Sequence, residues 1–248
     1  PVPPPGAAGS HGGTSGSVAG AMPPPYASLR TPPPPPPMDA YADLVVLVHG
    51  YSGSAYDVRL MRSYLQLQLP RAAFLLSCAN EQLVNVPIET MAERLAQEVE
   101  GFIVGNRQRL RLQRLSFVAF SIGALVLRAA LRLPALRKLE PFMHAFASIS
   151  GPLIGYPMPS ASGVVQSGMW FMANVVKDVT LAQLGLADGA EPARSLVGQV
   201  SAAPDEQPRF RHVLLVGSQQ DKYVPLYSSL LRAPGVANDL KASWRLLG

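Results

Sequence analysis

The sequence predicts an α/β fold, in which a mostly parallel sheet carries helices on both faces. Short, continuous apolar runs such as 43–48 and 211–217 are typical of strands that are buried on both faces. Amphipathic helical patterns separate these runs along the chain. Because strand and helix patterns alternate, the strands are expected to pair in parallel through right-handed crossovers.

Each predicted element follows from its local pattern. Strands are expected over five apolar, β-prone runs, 43–48, 73–77, 114–119, 144–149 and 211–217. Helices are expected where apolar residues recur at helical spacing, over 55–67, 88–106, 122–132 and 225–232. The segment 162–186 interrupts this alternation with an apolar helical pattern that includes Trp170 and Phe171. It is interpreted either as a helix that packs in the core or as a cap that forms an acyl pocket.

The composition predicts a tail followed by one domain. Residues 1–41 are rich in proline, glycine, serine and alanine, so the sequence predicts a disordered or polyproline II tail. Residues 42–248 are enough for a single domain with a sizeable core. Within the tail, residues 23–26 read Pro-Pro-Pro-Tyr. This segment is either a linker or a ligand for a WW-type or SH3-type domain, since both domain types bind preformed polyproline II helices.

The charge of the chain limits its partners. The chain has 21 Lys and Arg residues against 16 Asp and Glu residues, which gives a net charge of +5. Four arginines between residues 107 and 114 are interpreted as a solvated helix end and connection. No aromatic platform or binding motif accompanies them, so we expect no nucleic-acid partner. Peripheral contact with an anionic lipid surface stays open.

Cysteine and histidine usage limit the compartment and the cofactors. Cys78 is the single cysteine, which excludes an intrachain disulfide and predicts an intracellular, cytoplasmic protein. No Cys/His cluster has metal-ligand spacing, so neither a metal nor an organic cofactor is expected. No apolar run reaches the about 18 residues that are needed to span a bilayer.

The run 115–124 carries the strongest chemical signal. An apolar strand pattern stops at Ser121, Gly123 follows, and a helical pattern begins at once. A strand–turn–helix elbow of this kind exposes a serine nucleophile at a helix N-terminus, where the next backbone N–H faces a developing oxyanion. The usual pattern is Gly-x-Ser-x-Gly, and Ala119 replaces its first glycine. An ordinary strand-to-helix turn is the alternative interpretation of the elbow taken alone.

Two further strand ends support the nucleophile interpretation. The strand pattern 43–48 runs into His49-Gly50-Tyr51, a loop that suits the second half of an oxyanion hole. The backbone N–H groups of Tyr51 and Ile122 are the predicted donors, and His49 is expected to hold the loop by a hydrogen bond. Asp221 follows the strand pattern 211–217 after a short polar loop. Catalytic groups in open α/β sheets gather at the carboxyl ends of the strands.

These motifs resemble the lipase-like serine esterase domain of eukaryotic proteins in the α/β-hydrolase superfamily. The resemblance covers roughly residues 41–229 and rests on seven segments, 45–50, 57–60, 115–118, 121–123, 148–152, 167–172 and 216–225. It implies hydrolysis of carboxylic or lipid esters, with Ser121 as nucleophile and Asp221 as the triad acid. It also implies that the first strands of a complete hydrolase sheet are missing.

The triad histidine has no match at its expected place. In the family it lies beyond the acid, but no histidine follows Asp221. His11 lies in the tail, and His144 and His212 begin predicted strands, at the opposite edge of the sheet from Ser121. A base must come within about 3 Å of the serine oxygen. The sequence therefore predicts a C-terminally truncated domain, without its last strand and histidine loop, that has little esterase turnover by itself. The alternative is a pseudoenzyme that serves as a binding or scaffold module.

Overall fold

A computed structural model describes residues 41–155, 178–202 and 208–232. The tail with its Pro-Pro-Pro-Tyr segment and most of the predicted cap segment 162–186 lie outside the described residues. The described residues contain a five-stranded sheet whose strands all pair in parallel. The strands are β1 Tyr41–Val48, β2 Ala72–Leu76, β3 Leu110–Phe120, β4 Met143–Ile149 and β5 His212–Val216.

Seven α-helices and two short 3₁₀ helices connect the strands within the described ranges. The α-helices are α1 Ala55–Gln68, α2 Ile88–Gly105, α3 Ile122–Leu131, α4 Pro134–Arg137, α5 Val179–Leu184, α6 Leu196–Ala202 and α7 Leu226–Ser229. The 3₁₀ helices are Glu140–Phe142 and Pro192–Arg194. The predicted helix 225–232 is shorter than expected, because only its first turn is α-helical.

Both faces of the sheet are covered, as the fully apolar β1 predicts. Leu44 and Val46 point to one face and pack in a cluster with residues of α2 and α3. Val45 and Leu47 point to the other face and pack against Val58 of α1. All four strand residues are at most 5% exposed. Since side chains alternate along a strand, this double burial requires a helical layer on each face. The arrangement confirms the predicted α/β class.

The strand order places a crevice at the centre of the sheet. The order is β2-β1-β3-β4-β5, so the chain runs outward from β1 to β2 and then returns to the other side of β1. The direction of winding therefore reverses between β1 and β3. Open parallel sheets bind their ligands at such a switch point, outside the carboxyl ends of the two strands. The loop that begins with His49 and the elbow at Ser121 lie at these two ends.

Two features of the sheet correct the sequence predictions. β3 begins at Leu110, not at residue 114, because Leu110 pairs with Tyr41 ahead of a register shift. Part of the arginine cluster therefore belongs to a strand, and Arg114 forms a bidentate salt bridge with Asp43 at 2.6 Å. The prediction that 211–217 is a buried strand is wrong. Leu214 and Val216 of β5 are about half exposed, because they lie on the face of β5 that the described residues leave uncovered, whereas Val213 and Leu215 on the other face pack against the main core.

A fully buried arginine ties α3 to the segments around it. Arg128 donates hydrogen bonds to the carbonyl oxygens of Leu153, at 2.6 Å, and Val200, at 3.1 Å. Burial, together with the nearby charge of Arg132, lowers the pKa of Arg128 to about 10. The guanidinium therefore stays charged at neutral pH and fixes the helix that begins directly after Ser121.

Candidate active site

Ser121 occupies a strained turn between β3 and α3. Its backbone has φ 50° and ψ −133°, a conformation that residues other than glycine rarely adopt. Its N–H donates to the carbonyl of Ile149 at 2.9 Å, and its own carbonyl accepts from Ala124 at 3.0 Å. The neighbouring structure thus holds a conformation that costs about 1–3 kcal/mol. The side chain is partly exposed, as a nucleophile must be.

Two glycines allow the loop after β1 to approach this turn. A Cβ atom at Gly123 would lie 2.3 Å from the carbonyl oxygen of His49, and one at Gly50 would lie 3.2 Å from the Cβ of Ser121. The Ser121 Oγ atom lies 3.8 Å from the same point at Gly50. The Ser-x-Gly pattern therefore has a packing reason, because any side chain at position 123 would collide with the loop backbone. Gly50 lies beside the serine, as the sequence predicts.

Tyr51 and Ile122, the predicted oxyanion donors, lie on the two segments that meet here. Ile122 is the first residue of α3 and is buried, whereas Tyr51 lies in the loop after β1 and is partly exposed. Within this loop, Gly53 N–H donates to the carbonyl of Gly50 at 3.1 Å and closes a tight turn. The role of the Tyr51 and Ile122 N–H groups as oxyanion donors stays a prediction.

His49 is buried, and its ring is part of the loop. Its Nδ1 lies 2.9 Å from the carbonyl oxygen of Gly50, which can only accept, so Nδ1 carries the proton and donates. Its Nε2 has no hydrogen-bond partner among the described residues. The ring lines a small cavity of about 20 Å³, together with Asn80 and other residues behind the loop. This geometry is that of a histidine that holds a loop.

Asp221 lies in the loop after β5, two strands away from Ser121. Its Oδ1 accepts from the N–H groups of Tyr223 at 2.9 Å and Val224 at 3.0 Å. Burial raises the pKa of Asp221, but these hydrogen bonds outweigh it and hold the pKa below its ordinary value. The carboxylate is therefore ionised at neutral pH and ready to orient a positively charged partner.

Acid should weaken the contribution of Asp221 to stability. Because its pKa is lower in the folded chain than in the unfolded chain, its contribution is complete above the unfolded value of about 3.9. It is lost as the pH falls through the folded value. We expect wild type to be more stable than Asp221→Asn at neutral pH, with a gap that narrows below about pH 4. Urea unfolding of both proteins across this pH range measures the gap. A gap of constant size would contradict the prediction.

The other two described histidines lie far from this edge. His144 and His212 stand at the amino ends of β4 and β5, where their rings make an edge-to-face contact with centroids 5.1 Å apart. Burial, together with the charge of Arg114, lowers the pKa of His144. His212 is exposed. Among the described residues, no histidine hydrogen-bonds to Asp221.

Two residues that contact the predicted site have no role in the sequence predictions. Ser150 follows β4 with φ 50°, and its hydroxyl helps to lower the pKa of Asp221. Asp178 accepts a hydrogen bond of 2.7 Å from the Tyr51 hydroxyl. Ser150 falls within the segment 148–152 that carries the family resemblance, which is a signal that could have found it. No local signal marks Asp178, since 127 positions separate it from Tyr51.

Neither a metal site nor a membrane span is found in the part of the chain that the structure describes. No group of three or more His, Cys, Asp or Glu side chains in those ranges is placed to hold a metal ion. None of the helices in those ranges combines the length and the apolar character that crossing a membrane requires.

Three features define the α/β-hydrolase class. They are the parallel sheet, the strained Ser121 after β3, and the loop after β1, whose Gly50 packs beside that serine. Residues 39–234 match the family described as "Putative serine esterase (DUF676)". The match covers most of the chain, so the chain belongs to this family. The family predicted from the sequence motifs is thereby confirmed.

Several solved structures of lipases share part of this architecture. Lipase B of Aspergillus fumigatus is 18% identical, with a TM-score of 0.38 over 48% of this chain and 26% of that chain. The mature lipase BlEst2 of Bacillus licheniformis is 14% identical, with a TM-score of 0.44 over 70% and 65% of the two chains. A monoacylglycerol lipase of Paleococcus ferrophilus is 11% identical, with a TM-score of 0.47 over 84% and 82%. The chain thus spans less than two thirds of the first two lipases.

Proposed function

We propose that this chain is the catalytic domain of a serine esterase that hydrolyses carboxylic esters of lipid type. The observation that carries the proposal is the strained Ser121 at the switch point of the sheet, packed against the loop that begins with His49. A strained elbow at this place presents a nucleophile. The lipid-type substrate is supported by the lipase-like motifs and by the apolar pattern of the segment 162–186.

In the proposed reaction, the Ser121 Oγ atom attacks the ester carbonyl carbon and loses its proton to a general base. The N–H groups of Tyr51 and Ile122 stabilise the oxyanion of the tetrahedral intermediate. The alcohol leaves with that proton, and water then hydrolyses the acyl-enzyme by the same steps. Asp221 would orient the base and stabilise its charged form. We assign none of the described histidines to the base, because none of them bonds to Asp221.

Among the described residues, no histidine bonds to Asp221. This observation also supports a second function, that of a hydrolase-fold module that binds a partner or a lipid without cleaving it. The two functions differ in the reactivity of Ser121. A serine without a base is a weak nucleophile at neutral pH, whereas a base restores its attack on phosphorus and carbonyl centres.

Fluorophosphonate labelling followed by peptide mapping distinguishes the two functions. We expect the adduct on the peptide that contains Ser121, and we expect faster labelling when free imidazole is added, because an added base can take the proton from the partly exposed serine. Labelling is run with and without imidazole at equal pH and ionic strength. An adduct on other serines only, or no adduct under either condition, would reject the esterase and favour the binding module.

A further inference from the structure

The loop after β1 has one side-chain contact that reaches across the chain. The Tyr51 hydroxyl donates a hydrogen bond of 2.7 Å to Oδ2 of Asp178, a carboxylate that is only 3% exposed. The other oxygen, Oδ1, accepts from the N–H of Leu181 at 3.0 Å and caps α5. Both carboxylate oxygens of Asp178 are thus used, and one of them is used by the residue whose N–H is the predicted oxyanion donor.

The position of Asp178 is fixed by hydrogen bonds of α5 that do not involve Tyr51. Thr180 of α5 accepts from the N–H of Val86 at 2.9 Å and donates to its carbonyl at 2.7 Å. Gln183 accepts from the N–H of Ile88 at 2.7 Å, at the start of α2. These bonds fix α5 against the N-terminal end of α2, which packs in the main core. The carboxylate is therefore a fixed point to which the loop after β1 is attached through Tyr51.

The phenol is well suited to this attachment. Burial, with the hydrogen bond to and the charge of Asp178, raises the pKa of the Tyr51 hydroxyl far above its ordinary value. The Tyr51 hydroxyl therefore stays protonated at neutral pH and remains a hydrogen-bond donor. A hydrogen bond to a charged group is worth more than a neutral one, and leaving Asp178 unpaired in the interior would be costly.

We propose that Asp178 is a positioning residue, which holds the Tyr51 N–H toward the oxyanion through the Tyr51 ring. This inference rests on the proposed esterase function and extends it to a residue 57 positions beyond the nucleophile. The backbone N–H can stabilise an oxyanion only at a fixed distance, and a displacement of about 1 Å can cost about 100-fold in rate. The Tyr51–Asp178 hydrogen bond supplies this constraint at Tyr51 itself, since the bond that Gln82 N–H donates to the loop, at 2.8 Å, holds the carbonyl of Gly53.

The test compares Tyr51→Phe and Asp178→Asn with wild type. Both variants keep the Tyr51 backbone N–H and nearly the same side-chain volume. We expect Tyr51→Phe, which removes the hydroxyl, to slow fluorophosphonate labelling of Ser121 about tenfold to 100-fold. Asp178→Asn should slow labelling less, because asparagine keeps a neutral hydrogen bond to Tyr51 in place of the charged one. The double variant should be no slower than Tyr51→Phe, because both substitutions act on the same contact. Tyr64→Phe is the matched control, since Tyr64 is 62% exposed on α1 and its hydroxyl has no hydrogen bond among the described residues.

Hydrogen exchange of the Gly53 amide gives a readout that needs no activity. This amide closes the loop turn by donating to Gly50, so its exchange rate reports loop opening. We expect exchange about tenfold faster in Tyr51→Phe, faster to a smaller extent in Asp178→Asn, and unchanged in Tyr64→Phe.

The outcomes separate this inference from the proposed function. If Ser121 is labelled normally in both variants while Ser121→Ala is not labelled, the positioning role is wrong and the esterase proposal stands. If Ser121 is not labelled even in wild type, the esterase proposal fails. The exchange rate of the Gly53 amide then tests by itself whether the Tyr51–Asp178 hydrogen bond holds the loop. Faster exchange in both variants then supports the contact between Tyr51 and Asp178, and unchanged exchange overturns it.

Discussion

Replacing Ser121 by alanine is expected to abolish labelling by a fluorophosphonate, and to abolish ester hydrolysis in any form of the protein that has it. The covalent step needs the Oγ atom, and no neighbouring group can take its place at the elbow. Removal of a triad nucleophile costs several orders of magnitude in rate, on the order of 10³-fold or more. In-gel fluorescence after equal labelling times measures the loss.

Ser63→Ala is the matched control for this experiment. Ser63 is an exposed serine of α1 whose hydroxyl donates to the carbonyl of Arg59 at 3.0 Å, and it lies away from the crevice. Its replacement should leave labelling unchanged. If Ser121→Ala is labelled as strongly as wild type and as Ser63→Ala, Ser121 is not the nucleophile.

Gly123→Ala is expected to destabilise the fold strongly. The new Cβ would lie 2.3 Å from the His49 carbonyl oxygen and 3.1 Å from that of Val48. Both obstacles are backbone at the end of the central strand β1, so neither can move aside as a flexible side chain would. Overpacking of this kind costs about 3 kcal/mol, which exceeds the about 0.5–1 kcal/mol that alanine gains over glycine inside a helix. Urea unfolding followed by circular dichroism measures the loss.

Gly101→Ala separates the collision from the general effect of glycine replacement. Gly101 lies on α2 with open space where its Cβ would be, so only the helix preference changes. We expect its free energy of unfolding to stay equal or to rise by about 0.5–1 kcal/mol. Equal stability of the two variants would show that the loop after β1 can retreat from position 123 at little cost. The loop after β1 would then be only loosely packed against Ser121.

Much of the site is local in sequence, which is why it was predictable. The elbow depends on residues 115–124, where a strand pattern, a serine and a glycine follow one another directly. The place of Asp221 after an apolar run and a short polar loop is likewise a local feature, and its role stays a prediction. By contrast, the exposure of β5 depends on whether each of its faces is covered by other elements. The pattern His212–Val216 is equally apolar whether one face or both faces are covered, so the sequence could not distinguish the two cases.

The sequence by itself determined the α/β class, the succession of strands and helices, and the residue types at three strand ends. It did so because buried apolar residues recur with the period of a helix or of a strand, and this pattern is visible in residues that are close along the chain. Only the tertiary structure decided the strand order, and with it the crevice between β1 and β3. Only the tertiary structure brought Asp178 to Tyr51. This contact joins residues that are 127 positions apart, and no local periodicity depends on it.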